Sequence, residues 1–174
     1  ADQGSDWHGD NIPPEELNVI VRGYNYGWPF CYGARIPDPY TNSSQIPGKI
    51  TKAEFCDLTQ SSLLNYTAHA AAIGMTFYSG ASFPAEYRND AFIAFRGSWN
   101  RSAPSGYEIA RVNFDAQNRP TAIQPFVTGF VFQEGGQWKQ FGRVAGVATY
   151  TDGSLLFTDD QSGVIYRVRH VGGQ

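Results

Sequence analysis

Gly146-Val-Ala-Thr-Tyr-Thr-Asp-Gly-Ser-Leu-Leu-Phe-Thr-Asp-Asp160, continuing through Gly163 into Val164-Ile-Tyr-Arg-Val168, is the stretch that decides the fold. It reads as strand, glycine-containing turn, strand, polar loop, strand. An earlier stretch has the same order: Gly74-Met-Thr-Phe-Tyr-Ser-Gly80 leads to Asp90-Ala-Phe-Ile-Ala-Phe95, then through Gly106 into Tyr107-Glu-Ile-Ala-Arg-Val112. This is the cadence of a propeller blade. The opening Ala1-Asp2-Gln3-Gly4, followed by Leu17-Asn-Val-Ile-Val-Arg-Gly23, matches only the second half of that unit. The chain is therefore expected to begin inside a blade. One blade cannot bury both of its faces, so the sequence predicts part of a larger ring.

Working outward, residues 1–16 read as a polar loop dense in Asp, Gly, Trp and His, and 17–22 as a strand. Gly23 to Pro29 breaks any regular element, and 30–66 reads as a long irregular loop. Loops of that length are usually functional or disordered; the aromatic content here favours an ordered one. Residues 70–115 hold the first complete blade-like unit. Residues 121–133, with Ile123, Phe126, Val127 and Phe130 apolar, read as its outer strand; 134–142 is a loop and 143–170 the last unit. Helical periodicity is scarce, with one turn of helix expected at Pro84-Ala-Glu-Tyr-Arg88. The expected class is all-β, in a single partial domain over 1–174.

At 174 residues, 41% hydrophobic and 15% aromatic, the chain can bury a substantial core. Blades take about 40–50 residues each, which leaves room for roughly three. A net charge of −3 and a pI near 5.5, with no basic run, argue against nucleic acid. No apolar stretch approaches the ~20 residues of a membrane span. Cys31 and Cys56 are wrongly spaced for zinc. They are either two separate buried thiols or a disulfide closing the Pro- and Tyr-rich excursion. The second is favoured, because such a loop has little core to order it, and it implies a periplasmic or secreted setting. Asn-x-Ser/Thr sequons stand at Asn42, Asn65 and Asn100.

In a propeller, the polar loops of successive blades gather at one end of the channel, so ligand groups come from equivalent loops. Aligning the repeats selects Gln3 to Asp10, Ala68 to Ala72, Arg96 to Arg101, Gln140 to Ala145 and Asp159 to Ser162. They carry Gln3, Asp10, His69, Arg96, Trp99, Arg101 and Arg143. Several arginines with an aromatic suit a planar, multiply anionic ligand, because guanidinium pairs carboxylates bidentately and aromatic faces stack. Plainer readings stand beside these. Arg96 and Arg101 could be surface cations, His69 a structural histidine, and Asp159-Asp160 a turn. His8 and His170 read as solvated. No Gly-x-Ser-x-Gly, His-Glu-x-x-His, P-loop or dinucleotide fingerprint is present.

Seven stretches together resemble one family: Asp2-Gln-Gly-Ser5, Gly9-Asp-Asn-Ile-Pro-Pro-Glu-Glu-Leu-Asn18, Asn25-Tyr-Gly-Trp-Pro29, Ala68-His69 ahead of Gly74-Met-Thr-Phe-Tyr78, Phe83-Pro-Ala-Glu-Tyr-Arg88, Gly97-Ser-Trp-Asn-Arg101 and Asp152-Gly-Ser-Leu-Leu156. The chain is similar to the soluble pyrroloquinoline-quinone (PQQ)-dependent sugar dehydrogenases, the sorbosone dehydrogenase branch in particular. The resemblance implies a six-bladed propeller holding the quinone over a calcium ion (Ca2+), with this chain as roughly the C-terminal three blades.

It further implies that Gln3 touches the quinone, that the carbonyls of Gly4 and Ser5 ligate calcium, and that His69 contacts the cofactor. Arg143 would pair its carboxylates, with Arg96 and Arg101 as looser cationic candidates. Asp10 would match the carboxylate that orients the family's catalytic histidine, which lies upstream of this chain. The implied partners are a sugar, the remaining N-terminal blades or a second chain, and an external electron acceptor. Alone, the chain is expected to be inactive. The alternatives are a non-catalytic propeller segment binding carbohydrate or a protein partner, and a calcium-dependent lactonase-type propeller.

Overall fold

The computed structural model describes residues 1–172. Among the described residues there are thirteen strands, one short α-helix and two 3-10 turns, and the class is all-β as expected. The central element is a four-stranded antiparallel sheet in chain order: β5 (Ala72–Phe77), β6 (Ala91–Phe95), β7 (Glu108–Phe114) and β8 (Pro120–Val127). A three-stranded sheet follows, formed by β11 (Val144–Thr149), β12 (Leu155–Asp159) and β13 (Val164–Val168). These are the two units the repeat predicts. No sheet closes on itself among the described residues.

Alternation places the core on both faces of the central sheet. All five residues of β6 are buried. Phe92 and Ala94 point one way, into a cluster with Tyr78, Ile109, Phe130, Val144, Leu155 and Phe157 that joins the two sheets. Ala91, Ile93 and Phe95 point the other way, onto Leu17, Ala70, Ala110 and Val112. That second face is covered by the pair β1 (Glu15–Leu17) and β4 (Leu64–Tyr66), where Tyr66 stacks on Phe95 and donates to Glu108 Oε1 at 2.8 Å. A strand buried on both sides reads as a continuous apolar run, which is why Ala91–Phe95 stood out.

The innermost strands of the two sheets approach closely. A Cβ on Gly74 would lie 2.5 Å from the Ala145 carbonyl oxygen, so only glycine permits the contact. At one end of the sheets a single hydroxyl joins them: Tyr78 donates to the Gly153 carbonyl at 2.6 Å and accepts from Phe83 N–H at 2.9 Å. The expected helical turn is present as a 3-10 turn at Ala85–Tyr87.

Several expectations need correction. The strand expected over 17–22 is instead Glu15–Leu17, and Val19, Ile20 and Val21 lie exposed. The apolar run is real, but no strand pairs with it among the described residues. The strand expected over 121–133 ends at Val127. Its remainder forms β9 (Val131–Glu134), which pairs with β10 (Gln137–Gln140) around Gly135-Gly136, where a loop was expected. Two glycines with positive φ make that turn possible.

The excursion over 30–66 contains β2 (Cys31–Tyr32) paired with β3 (Ile36–Pro37), a 3-10 turn at Ser43–Gln45 and α1 (Lys52–Asp57). A capping box starts α1, with Thr51 and Glu54 each accepting from the other's backbone N–H. Cys31 and Cys56 are disulfide-bonded and pack with Phe30 and Ile46 in a core of their own.

Candidate functional site

The turn before β5, the loop from β6 to β7, the segment before β11 and the loop from β12 to β13 all fall at the end of the sheets opposite Tyr78. Contacts between them define a rim. Arg96 Nε meets Asp160 Oδ2 at 2.9 Å across the two sheets. Arg143 Nη2 reaches the Gly97 carbonyl at 3.4 Å. The N-terminal loop lies over the same end: Arg101 donates to the carbonyls of Asp10 and Ala68, Ser102 N–H donates to Asp10 Oδ1 at 3.0 Å, and His69 Nε2 lies 2.8 Å from the Gly9 carbonyl oxygen.

The structure therefore brings Asp10, His69, Arg101 and Arg143 to one rim, with Arg96 at its edge in an ion pair with Asp160. Arg101 and Arg143 alone of this set line a cleft of about 370 Å³, together with Trp99, Trp138, Lys139 and Gln140 among others. Gln3, Gly4 and Ser5 do not line it. They face a separate pocket with Tyr26, Trp28, Tyr32 and Asp38, because the chain there folds down onto Pro13, which leaves no room for a side chain at Gly4. The segment Asp6–Asp10 bridges the two places.

Charge is arranged to leave Arg143 available. Its Nε is buried and has no hydrogen-bond partner, while its backbone N–H is fixed by Asp159 Oδ1 at 2.9 Å. Burial would raise the Asp159 carboxyl, but the N–H groups of Arg143, Ser162 and Gln161 outweigh that and hold it below the usual range. Asp159-Asp160 is thus a turn, and a turn that sets the backbone of Arg143. Asp10 is lowered chiefly by the N–H and hydroxyl of Ser102, with Arg101 adding to the effect. It remains a carboxylate at neutral pH.

Three features of this region were missed by reading the sequence. His8 is not solvated: it stacks on Tyr40 with centroids 4.2 Å apart and lies 3.5 Å from the buried Asp38. Asp38 belongs to the disulfide-closed excursion, so that excursion anchors the rim loop. Glu15 and Glu16, placed in a polar loop by sequence, are both buried. Glu15 Oε2 accepts from Ala72 N–H at 3.0 Å, its other oxygen has no partner, and burial raises its pKa to about 7. Glu16 accepts from Gly33 N–H and from Asn18, and burial raises it as well. A Ser/Thr-x-x-Glu capping signature or a turn dipeptide announces itself; a buried carboxylate does not.

His69 itself is buried, with φ of 62°, and Ala71 follows at 61°. Both lie in the left-handed region that costs a residue with a Cβ of order 1 kcal/mol or more. Glu15, bound to Ala72 N–H, fixes the end of this strained turn.

The rim donors suit the expected cofactor. The Arg143 guanidinium, with an unpartnered nitrogen and Arg101 lining the same cleft, can pair a carboxylate of an aromatic acid. For calcium, no group of three or more His, Cys, Asp or Glu side chains is placed to hold a metal among the described residues. The carbonyls of Gly4 and Ser5 accept no hydrogen bond among the described residues. They could supply two of the six to eight oxygens that calcium takes, and the rest would have to come from elsewhere. No helix among the described residues is long and apolar enough to cross a membrane.

Comparison with known proteins identifies the fold and the family. An uncharacterized protein of Borreliella burgdorferi is 39% identical over 170 residues, covering 97% of this chain and 42% of that protein. The calcium structure of the Trichoderma reesei carbohydrate-active enzyme of family AA12 superposes with a TM-score of 0.61 at 26% identity, covering 95% of this chain and 44% of that one. The holo PQQ domain of pyranose dehydrogenase from Coprinopsis cinerea superposes at 0.62 with 20% identity, covering 98% and 48%. The chain thus spans under half the length of each of these relatives. A family model described as TrAA12-like matches residues 3–171. Almost the whole chain, both repeated sheets and every rim loop included, falls within that match, and the chain belongs to the TrAA12-like family.

Proposed function

We propose that this chain forms the cofactor-gripping part of a PQQ-dependent sugar dehydrogenase, one that oxidises a sugar at a hydroxyl-bearing carbon. The observation carrying this reading is Arg143, which lines a cleft with Arg101, Trp99 and Trp138 and whose buried Nε has no hydrogen-bond partner, in a chain of the TrAA12-like family whose structural neighbours include a carbohydrate-active enzyme and a PQQ domain. The ring would be six-bladed, with this chain supplying about three blades and the remaining N-terminal blades, or a second chain, completing it.

In this assignment Arg143 pairs a carboxylate of the quinone and Arg101 and Arg96 add positive charge, while Gln3, which lines the separate pocket beside Asp38, is not assigned to that contact. Gly4 and Ser5 contribute carbonyl oxygens to Ca2+. When bound, the quinone with its calcium supplies the hydride acceptor and a Lewis acid, and an external acceptor takes the electrons onward. His69, buried and bonded to the Gly9 carbonyl, holds the N-terminal loop over the rim. Asp10 stays ionised and fixes the loop from β6 to β7 through Ser102; it is the carboxylate we assign to orienting the catalytic base. That base, a proton acceptor for the sugar hydroxyl, is assigned to a residue outside this chain. The disulfide fits a periplasmic or secreted setting.

Adding PQQ with calcium should change the quinone absorbance, and Arg143→Ala should weaken that binding at least tenfold, since a charge-assisted pair contributes about 1.5–3 kcal/mol. An unchanged titration in the variant would remove the assignment.

A further inference from the structure

Trp7 and Trp99 meet edge to face, with centroids 4.7 Å apart and planes at 89°. Both remain largely in solvent, 74% and 58% exposed. A contact that hides so little of either ring is not core packing. Trp7 also has a φ of 68°, in the region that disfavours side chains. It is held there from both sides. Asp6 Oδ1 accepts from Asn100 Nδ2 at 3.3 Å and lies 3.9 Å from His69 Nδ1, and His8 is clamped against Tyr40 and Asp38. Strain maintained by surrounding anchors, in a side chain left pointing at water, is the pattern of a ligand-contacting residue.

Beyond Trp99 the cleft carries Arg101, Ser102, Lys139 and Gln140 and includes Trp138, itself 46% exposed. Three open indoles thus line one rim with hydrogen-bond donors between them. A flat aromatic acid stacks in a parallel slot, and two rings at a right angle do not form one. A pyranose chair fits the corner better: its axial C–H groups present an apolar face to one indole, and its equatorial hydroxyls point outward to donors such as Lys139 and Gln140, each of which has N–H groups beyond its one modest surface bond. An indole is a large apolar surface with a polar edge, suited to such a half-wet contact. Repetition along the rim matches successive rings of one chain.

We propose that the Trp7–Trp99 corner, with Trp138 across the cleft, is a specificity surface that seats pyranose rings of an oligosaccharide beyond the ring being oxidised. The inference rests on the sugar-oxidising reading above and adds to it a substrate class, a sugar chain in place of a free monosaccharide, with Trp7 as a determinant of that choice.

Binding is measured by tryptophan fluorescence and saturation-transfer NMR without quinone, using cellotetraose, xylotetraose and maltotetraose against D-glucose and D-xylose. At least one tetrasaccharide should bind tenfold or more tightly than its monosaccharide. Trp7→Asn, chosen because asparagine tolerates the left-handed backbone, should reduce that preference to under threefold and leave the PQQ titration unchanged. Trp7→Phe should retain part of it. Tetrasaccharides that bind no better than monosaccharides, or a preference that survives Trp7→Asn, would overturn the proposal. Loss of PQQ binding in the unsubstituted protein would count against the parent assignment instead, so the two failures are distinguishable.

Discussion

At the scale of single residues, Glu15 makes the sharpest physical statement. It is 1% exposed, and burial raises its pKa from 4.5 to about 7. Below pH 4.5 the carboxyl is protonated in the folded and unfolded chains alike, and it imposes no charge penalty. Between 4.5 and about 7 the unfolded chain releases the proton while the folded chain keeps it. Stability therefore falls as pH rises through that window, by about 3 kcal/mol in all, and is flat above it. Glu15→Gln keeps an acceptor for Ala72 N–H and removes the titration. Urea unfolding should show the variant overtaking the natural chain above pH 7, and the difference between them should shrink toward zero near pH 4. Little of this was legible in the sequence, where Glu15-Glu16 follows two prolines in a polar stretch. Arg143 and His69 could be found because they recur at equivalent places in a repeated unit. Glu15 and Asp38 occupy no such place, and His8, although inside the Gln3 to Asp10 loop, takes its role from tertiary contact: Glu15 with Ala72 N–H, His8 with Asp38 of the excursion.

At the scale of elements, legibility followed burial. The central strands were readable because β6 is apolar on both faces and β12 repeats its pattern. The Val19–Val21 run misled for the complementary reason: β-branched residues announce strand propensity, but a strand needs a partner, and residues 18–22 have none here. The excursion held one signal that went unused, the Thr51/Glu54 capping box, while the disulfide favoured from the sequence is present and makes α1 worth capping. Its small core of Phe30, Ile46 and the two cysteines cannot order some thirty residues alone. Cutting Cys31–Cys56 should cost roughly 3 kcal/mol for a loop of this length. After reduction, hydrogen exchange should accelerate across residues 31–57 and the rim loop tied to Asp38, while β5 to β8 keep their protection. Uniform acceleration through the central sheet would show that the excursion is not an independent unit.

At the scale of the whole molecule, the apolar surface is unevenly finished. The central sheet is covered on both faces, whereas β13 presents an edge carrying Ile165, 68% exposed, and Ile20 stands 80% exposed elsewhere. An unpaired edge with apolar side chains is a template for further pairing. Sedimentation velocity of the chain alone should show concentration-dependent association, and Ile165→Lys should shift the weight-average mass toward the 19.2 kDa monomer. The all-β class and the blade cadence were legible because repetition survives without its neighbours.

The hydroxyl of Tyr78 has a mechanical meaning. Fastened to Gly153 and Phe83 in a dry setting, it makes one end of the seam between the two sheets a fulcrum. At the opposite end the seam is held by Arg96 and Asp160, a solvated clasp. A hydrogen bond shielded from water resists opening more than an exposed ion pair does, so any separation of the two sheets is expected to begin at the Arg96–Asp160 end.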